Sequence, residues 1–271
     1  MRFYKMSGSG NDFIMLDGRE TTPGDWPAPR IVEVCHRRNG VGADGLVILT
    51  PGVPGVVRMD FYNSDGSEAA MCGNAALCST CLATYLHMAQ AAGMTLQTGA
   101  GSFPTRTAPE PWSAELNLPD FPLPVEVPIA CQQGERGIWA GTVGVPHLTI
   151  LVDDIEAVDI NGRGRELRFH PAAGPAGANA NFIAGPRNQA EDRAWELRTF
   201  ERGVEGETLA CGTGTVASAV ALAAHGRIQL PAVIRSRSGK PLRVAATLEG
   251  GWARDVWLRG EGRLVFEGHL A

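Results

Sequence analysis

The sequence of 271 residues contains no apolar run that approaches the roughly 18 residues of a membrane-spanning helix. Its first residues, Met1 to Gly8, also lack the apolar core of a secretion signal. The sequence therefore predicts a cytoplasmic protein with no membrane partner.

Basic residues are not in excess either. The chain has 24 Lys and Arg against 29 Asp and Glu, a net charge of −5 at pH 7, and the two signs are interspersed. Binding to a phosphate backbone requires a basic patch or stripe, so we expect no nucleic-acid partner.

Cysteine is sparse, at six residues. A secreted disulfide framework is denser, which favours reduced thiols in a reducing compartment. Cys78 and Cys81 form a Cys-x-x-Cys pair, but a structural zinc site requires a second well-spaced pair, which Cys35 and Cys131 do not make. No metal site is predicted.

One pattern occurs twice. Glu-x-x-x-Cys-Gly stands at Glu68–Gly73 and again at Glu207–Gly212, each time before a segment of small residues. Sliding one window over the other without a gap also aligns Phe61 with Phe200 and Ser79 with Ser218. We interpret the repeat as an internal duplication that gives two half-domains.

The two segments that follow the repeats, Gly73–Ala92 and Gly212–Ala224, are apolar nearly all round, which is typical of helices enclosed by sheet. Short β-rich stretches dominate elsewhere, each bounded by Gly, Pro, Asn or Asp: 13–16, 45–49, 56–62, 149–152, 181–183, 244–248 and 264–266. These patterns predict an α+β fold of two pseudo-symmetric lobes, each a mixed or antiparallel sheet or barrel wrapped around a central helix.

The Pro-rich stretch from Pro104 to Pro128 predicts a crossing between the lobes that holds neither a central strand nor a helix. We therefore expect an N-terminal lobe at residues 1–115, with Cys72, completed by a C-terminal strand at 259–271. The second lobe, with Cys211, would span residues 116–258.

A cysteine at the start of a buried helix has useful chemistry. The positive end of the helix dipole lowers a thiol pKa from about 8.5, and the unpaired backbone N–H groups bind carboxylates. If the two halves face each other, Cys72 and Cys211 flank one small anion. One thiolate could then remove a proton beside a carboxylate while the opposite thiol delivers another, as in a racemase.

Seven segments between residue 5 and about residue 220 contain further motifs: Lys5–Phe13, Gly40–Gly45, Asn63–Glu68, Met71–Asn74, Asn179–Phe182, Arg198–Gly203 and Glu207–Gly214. In this order they resemble the diaminopimelate epimerase family. The resemblance implies an epimerase without cofactor that converts LL-diaminopimelate to the meso form, for lysine and peptidoglycan synthesis. It also implies two similar lobes with the active site between them, and it is compatible with a homodimer.

The same resemblance assigns roles to individual residues. Cys72 and Cys211 match the family's two acid/base thiols, with His147 near the first and Glu201 near the second. The substrate-binding matches are the side chains of Asn11, Asn63, Asn179 and Arg202 and the backbone donors of Gly73, Asn74, Gly212 and Thr213.

Three departures from the family pattern concern the substrate contacts. The Cys-Gly-Asn motif continues with Ala75, Ala76 and Leu77 rather than with Gly, a variable residue and Arg. Val145 replaces a frequent Asn before Pro146-His147, and Gly45 stands where some members carry Gln.

Other functions remain open at this point. The same two thiols could serve a proline-, hydroxyproline- or histidine-type racemase, or a ligand-binding or redox-sensing protein without catalysis. The related phenazine-type isomerases lack the paired cysteines. Gly212 to Thr215 could be taken for a phosphate loop, but no Lys follows, and each cysteine alone could simply fill the core.

Overall fold

A computed structural model describes residues 1–186 and 193–270. The chain divides into two compact units. Unit 1 comprises Met1–Asn117 and Arg259–Ala271, and unit 2 comprises Leu118–Leu258. No helix in the described ranges is long and apolar enough to span a membrane.

Unit 1 begins with eight strands and two helices. In chain order they are β1 (Arg2–Gly8), β2 (Asn11–Asp17), α1 (Ala28–Cys35), β3 (Gly45–Pro51), β4 (Val56–Asn63), β5 (Glu68–Ala69), α2 (Gly73–Tyr85), β6 (Met94–Thr98), β7 (Gly101–Thr107) and β8 (Ser113–Leu118).

Unit 2 follows with the next ten strands and two helices, and the last strand returns to unit 1. They are β9 (Phe121–Pro122), β10 (Val125–Glu126), β11 (Glu135–Val143), β12 (Val145–Val152), α3 (Gly162–Arg168), β13 (Asn179–Ala184), β14 (Trp195–Glu201), β15 (Gly206–Thr208), α4 (Gly212–Ala224), β16 (Ala232–Arg235), β17 (Pro241–Glu249), β18 (Trp252–Glu261) and β19 (Arg263–His269). Strand β18 runs through the boundary between the units, and β19 pairs antiparallel with β1.

The strand pairing is the same in both units. β1–β2, β3–β4, β4–β5 and β6–β7 are antiparallel, whereas β2–β3 and β4–β6 are parallel. Unit 2 repeats this order, with β11–β12, β13–β14, β14–β15 and β16–β17 antiparallel and β12–β13 and β14–β16 parallel. The repeated topology confirms the predicted α+β class and the internal duplication.

One detail of the predicted repeat is wrong. Tyr62 pairs with Glu68 in unit 1, and Phe200 pairs with Glu207 in unit 2, so Phe200 corresponds to Tyr62 and not to Phe61. The turn between the paired strands is one residue longer in unit 2. The ungapped alignment is therefore out of register on the strand before that turn, and Phe61 corresponds to Thr199.

Helices α2 and α4 are the enclosed helices that the sequence predicts, since residues 74–83 and 214–222 are buried without interruption. The predicted end of the first at Ala92 is wrong. α2 stops at Tyr85 because His87 adopts a left-handed conformation with φ 56° and Met88 N donates to the Ala83 carbonyl at 2.8 Å. This arrangement closes the helix end.

The Pro-rich segment contains more strand than predicted. Pro104 lies within β7 and pairs with Thr95 of β6, whereas the pairing of β7 with β8 begins only at Thr105. A proline lacks an N–H, so it is tolerated where only one neighbour requires a hydrogen bond. The paired β8 makes the prediction of an unstructured crossing wrong for that part of the segment.

Each unit has its own apolar core. In unit 1, Ile31 and Val34 of α1 pack with Leu46 and Ile48 of β3. In unit 2 the core lies on the side of β12 and β13 that carries Leu148, Ile150, Ala180 and Phe182. The opposite side of β13 carries Asn179 and Asn181, because strand side chains alternate between faces.

Helices α1 and α3 were not predicted from the sequence, because prolines and glycines interrupt their sequences.

Candidate active site

Cys72 is the residue before the first turn of α2. Its backbone is extended, at φ −141° and ψ 122°, and its carbonyl accepts from Ala76 N at 2.9 Å. Gly73 and Asn74 therefore begin the helix, where the first N–H groups have no partner within the helix. These are the backbone donors that the sequence assigns to a carboxylate.

Two predicted site residues meet directly beside this cysteine. Asn74 Nδ2 donates to Asn11 Oδ1 at 2.7 Å, and Asn11 Nδ2 donates in turn to Asp44 Oδ2 at 2.9 Å. Asn74 is 3% exposed. Because Asp44 can only accept when ionised, the chain fixes the orientation of both amides.

A charged cluster, defined here as Lys5, Asp12, Arg37 and Asp44, supports that chain. Asp12 lies 2.6 Å from Lys5 Nζ and 2.7 Å from Arg37, which also reaches Asp44 at 2.7 Å. Burial raises the pKa of Asp12, but hydrogen bonds from Arg37 and Lys5 outweigh it and lower the pKa to about 2. None of these residues has a role predicted from the sequence, although each lies in or near a family motif.

Asn63 lies apart from this chain, exposed at the end of β4, and its amide donates to Ser67 Oγ at 3.0 Å. Gly45 is its partner in the β3–β4 register. A Cβ at position 45 would stand 2.5 Å from the Tyr62 carbonyl oxygen and 2.6 Å from the Phe61 ring. This packing explains why the chain has Gly45 and no side chain there.

Cys211 occupies the equivalent position before α4. It is 6% exposed, its backbone is extended, and its carbonyl accepts from Thr215 N at 2.9 Å. Its Sγ lies 3.7 Å from Thr213 Oγ1. Gly212 and Thr213 thus open the helix as Gly73 and Asn74 do in unit 1.

Asn179 links this cysteine to Arg202. Its Nδ2 lies 4.0 Å from Cys211 Sγ, and its Oδ1 accepts from Arg202 N at 2.8 Å. The structure therefore brings three predicted site residues together in unit 2. Asn179 is 3% exposed, and both ends of its amide are engaged within the protein.

Glu201 ends β14 directly before Arg202. Burial raises the pKa of its carboxyl, and a hydrogen bond from the Thr208 hydroxyl, 2.7 Å from Oε2, partly offsets this rise. A carboxyl with a raised pKa can exchange protons closer to neutral pH than an exposed one.

His147 lies on β12 and is almost fully buried. Burial lowers the pKa of its imidazole to about 3; the Val143 backbone opposes this change and the charge of Arg202 adds to it. Its Nδ1 faces Asn181 Nδ2 at 3.2 Å. Asn181 was not predicted as a site residue, although it lies in the Asn179-Ala180-Asn181-Phe182 motif.

The sequence motifs can be compared with those of known proteins. The sequence pattern of the family described as diaminopimelate epimerase matches residues 3–110 and 140–250. A diaminopimelate epimerase of Gemmatimonas aurantiaca is 46% identical, and the alignment covers 100% of this chain and 99% of the relative.

Solved structures with the same fold are more distant. A phenazine biosynthesis protein of the PhzF family from Bacillus anthracis has a TM-score of 0.73 at 13% identity, covering 100% of this chain and 99% of its own. A probable proline racemase from Agrobacterium radiobacter has a TM-score of 0.67 at 18% identity, with 100% and 92% covered. These two show the fold alone, whereas the family match and the close relative confirm the resemblance in the motifs: the chain belongs to the diaminopimelate epimerase family.

Proposed function

We propose that this protein interconverts LL- and meso-diaminopimelate without a cofactor and that Cys72 and Cys211 are its two acid/base groups. The observation that supports this most directly is the placement of both cysteines at the same point of duplicated units, before the first turn of an enclosed helix. Family membership supplies the substrate.

The reaction needs one proton removed and one delivered on opposite faces of the stereocentre. A thiolate at one cysteine takes the α-proton, so the Cα–H bond breaks and an S–H bond forms. The electron pair left on Cα delocalises into the adjacent carboxylate. The second thiol then gives its proton to the other face, forming a new Cα–H bond and leaving a thiolate. The two cysteines exchange protonation states in each turnover.

The charge that develops on the carboxylate requires donors that are already in place. We assign this role to the backbone N–H groups of Gly73 and Asn74 in unit 1 and of Gly212 and Thr213 in unit 2. Groups that are fixed before the reaction stabilise a developing anion without reorganising. The helix dipoles add to the same effect.

The remaining matched side chains complete the assignment. We assign His147 and Glu201 to assist proton transfer at the cysteines. The distal end of the substrate would contact Asn11, Asn63 and Arg202. Asn179 would contact the substrate beside Cys211. Because Asn11 and Asn179 already make hydrogen bonds within the protein, their orientation is set before substrate binds. A pre-set amide loses little entropy on binding.

The test is incubation of the reduced protein with LL-diaminopimelate in D2O, with no cofactor, followed by NMR. Deuterium at the α-carbon together with meso product is the expected result. Unchanged LL-substrate would contradict the proposal, and the same assay on proline, hydroxyproline and histidine would then identify a racemase of another amino acid.

A further inference from the structure

Three buried polar side chains form a continuous hydrogen-bonded chain on one face of the unit 2 sheet. Thr199 Oγ1 lies 3.0 Å from Asn181 Oδ1, and Asn181 Nδ2 lies 3.2 Å from His147 Nδ1. All three residues are at most 2% exposed. They stand on three adjacent strands, β14, β13 and β12, with Asn181 directly opposite Thr199.

The orientation of the Asn181 amide is determined by its other contacts. Its Nδ2 lies 2.9 Å from the Leu148 carbonyl oxygen and 3.3 Å from that of Asn179, and a carbonyl oxygen can only accept. The atom that faces His147 is therefore the donor. The two hydrogens of this nitrogen are shared among three acceptors, and an amide nitrogen cannot itself accept, so the contact is favourable only when Nδ1 is unprotonated. The proton of the neutral imidazole is then on Nε2.

The duplicated unit shows that the fold does not need this chain. The register pairs Phe13 with Gly45 and Val47 with Phe61, as it pairs His147 with Asn179 and Asn181 with Thr199. The positions equivalent to His147, Asn181 and Thr199 are therefore Phe13, Val47 and Phe61.

The unit 1 positions make an ordinary apolar core. The rings of Phe13 and Phe61 meet edge to face, with centroids 5.9 Å apart. Val47 is fully buried between their strands. Polar groups at such positions cost free energy unless every one of them is satisfied. A polar chain retained in only one of two equivalent places points to a role other than folding.

We propose that Asn181, held by Thr199, is a positioning residue that fixes His147 as the Nε2–H tautomer, so that His147 presents a hydrogen-bond donor to the reaction. This proposal depends on the proposed function in one respect only, namely that the reaction uses the Nε2–H group as a hydrogen-bond donor. Among the described residues, no group meets normal hydrogen-bond geometry at His147 Nε2, although the Val143 backbone lies near enough to the imidazole to raise its pKa. A buried donor without a partner is rare in folded proteins and is typical of a group kept for a ligand or a reaction.

The tautomer can be measured directly by long-range ¹H–¹⁵N NMR of the imidazole rings at neutral pH. Loss of one ring's signals in His147→Phe, which installs the residue of the duplicate position, assigns the spectrum. We expect a protonated Nε2 and an unprotonated Nδ1 in the unsubstituted protein. A proton on Nδ1 would overturn the proposal whatever the activity of the enzyme.

Two substitutions test whether Asn181 and Thr199 determine the tautomer of His147. Asn181→Asp replaces the donor by a carboxylate of the same shape, and we expect the proton to appear on Nδ1. Thr199→Val removes the hydroxyl that holds the amide, and we expect a mixture of tautomers. Thr149→Val is the matched control, since Thr149 neighbours Asn181 in the register but lies outside the chain. Its spectrum should match that of the unsubstituted protein.

A wild-type tautomer in both Asn181→Asp and Thr199→Val would contradict the positioning role. Activity provides a separate readout. We expect kcat to fall by roughly 10- to 100-fold in Asn181→Asp, the range seen for residues that orient metal-binding imidazoles, with KM changed much less. An Nε2–H tautomer in a protein without epimerase activity would refute the proposed function and leave the structural inference intact.

Discussion

Asp12 is a carboxylate held between Lys5 and Arg37 in unit 1. Its pKa of about 2 in the folded protein lies below the value of about 3.9 in an unfolded chain. A lowered pKa contributes stability above the unfolded pKa, and that contribution is lost as the pH falls through the folded one. The difference corresponds to about 2–3 kcal/mol.

Asp12→Asn should therefore reduce the free energy of unfolding most at pH 6. The deficit should shrink towards pH 2, where the native carboxyl also loses its charge. Urea titrations of both proteins at pH 6 and pH 2.5 would measure this. A deficit of the same size at both pH values would refute the assigned cause.

Gly45 provides a second prediction about a single residue. Restoring the side chain of some family members with Gly45→Gln should destabilise the protein by ~1–3 kcal/mol, because its Cβ would strike the Tyr62 carbonyl and the Phe61 ring. Gly206→Ala at the start of β15 is the control, since no atom lies within 4 Å of a Cβ there. Urea unfolding should separate the two, and equal stabilities would contradict the explanation.

The ends of the two central helices can be compared at the scale of the element. α4 stops with Gly226 in the left-handed conformation at φ 68°, whereas α2 stops with His87 at φ 56°. A left-handed conformation costs a non-glycine residue roughly 1 kcal/mol.

His87→Gly should therefore raise the free energy of unfolding by up to about 1 kcal/mol. Gly226→Ala should lower it by a similar amount, because alanine is strained where φ is positive. Chemical denaturation measures both. A less stable His87→Gly protein would show that His87 makes a contact worth more than its strain.

Prediction from sequence succeeded for elements with a strong local pattern. The apolar segments after the two cysteines are the enclosed helices, and the bounds of several strands were close. The end of α2 was missed because no glycine marks it. Strand β8 was missed because prolines on either side concealed a paired segment, and one of its partners, β18, is distant in sequence.

The candidate site was predictable to the extent that its motifs are local. The charged cluster around Asp12 and the Asn181 chain were not, for a physical reason. Alternating polar residues such as Asn179 and Asn181 look like the solvent face of a strand. The register places them on a central strand between β12 and β14, where both are buried. Buried polar chains are tertiary features, and a single sequence does not report them.

For the whole molecule, the central claim is that a duplicated fold supplies two acid/base thiols from equivalent places. Each unit positions its cysteine before the first turn of an enclosed helix. The duplicates differ elsewhere, because unit 2 carries the polar chain of His147 where unit 1 has Phe13. In the proposed reaction the two equivalent thiols act as acid and base, and His147, which has no counterpart in unit 1, assists proton transfer.

The most direct test is the rate of LL- to meso-diaminopimelate conversion in D2O for Cys72→Ala and Cys211→Ala. Cys131→Ser, at an exposed cysteine outside both motifs, is the control and should keep the full rate. We expect each alanine variant to lose at least ~10³-fold in rate, since neither thiol can serve both faces of the stereocentre. A normal rate in either alanine variant would contradict it.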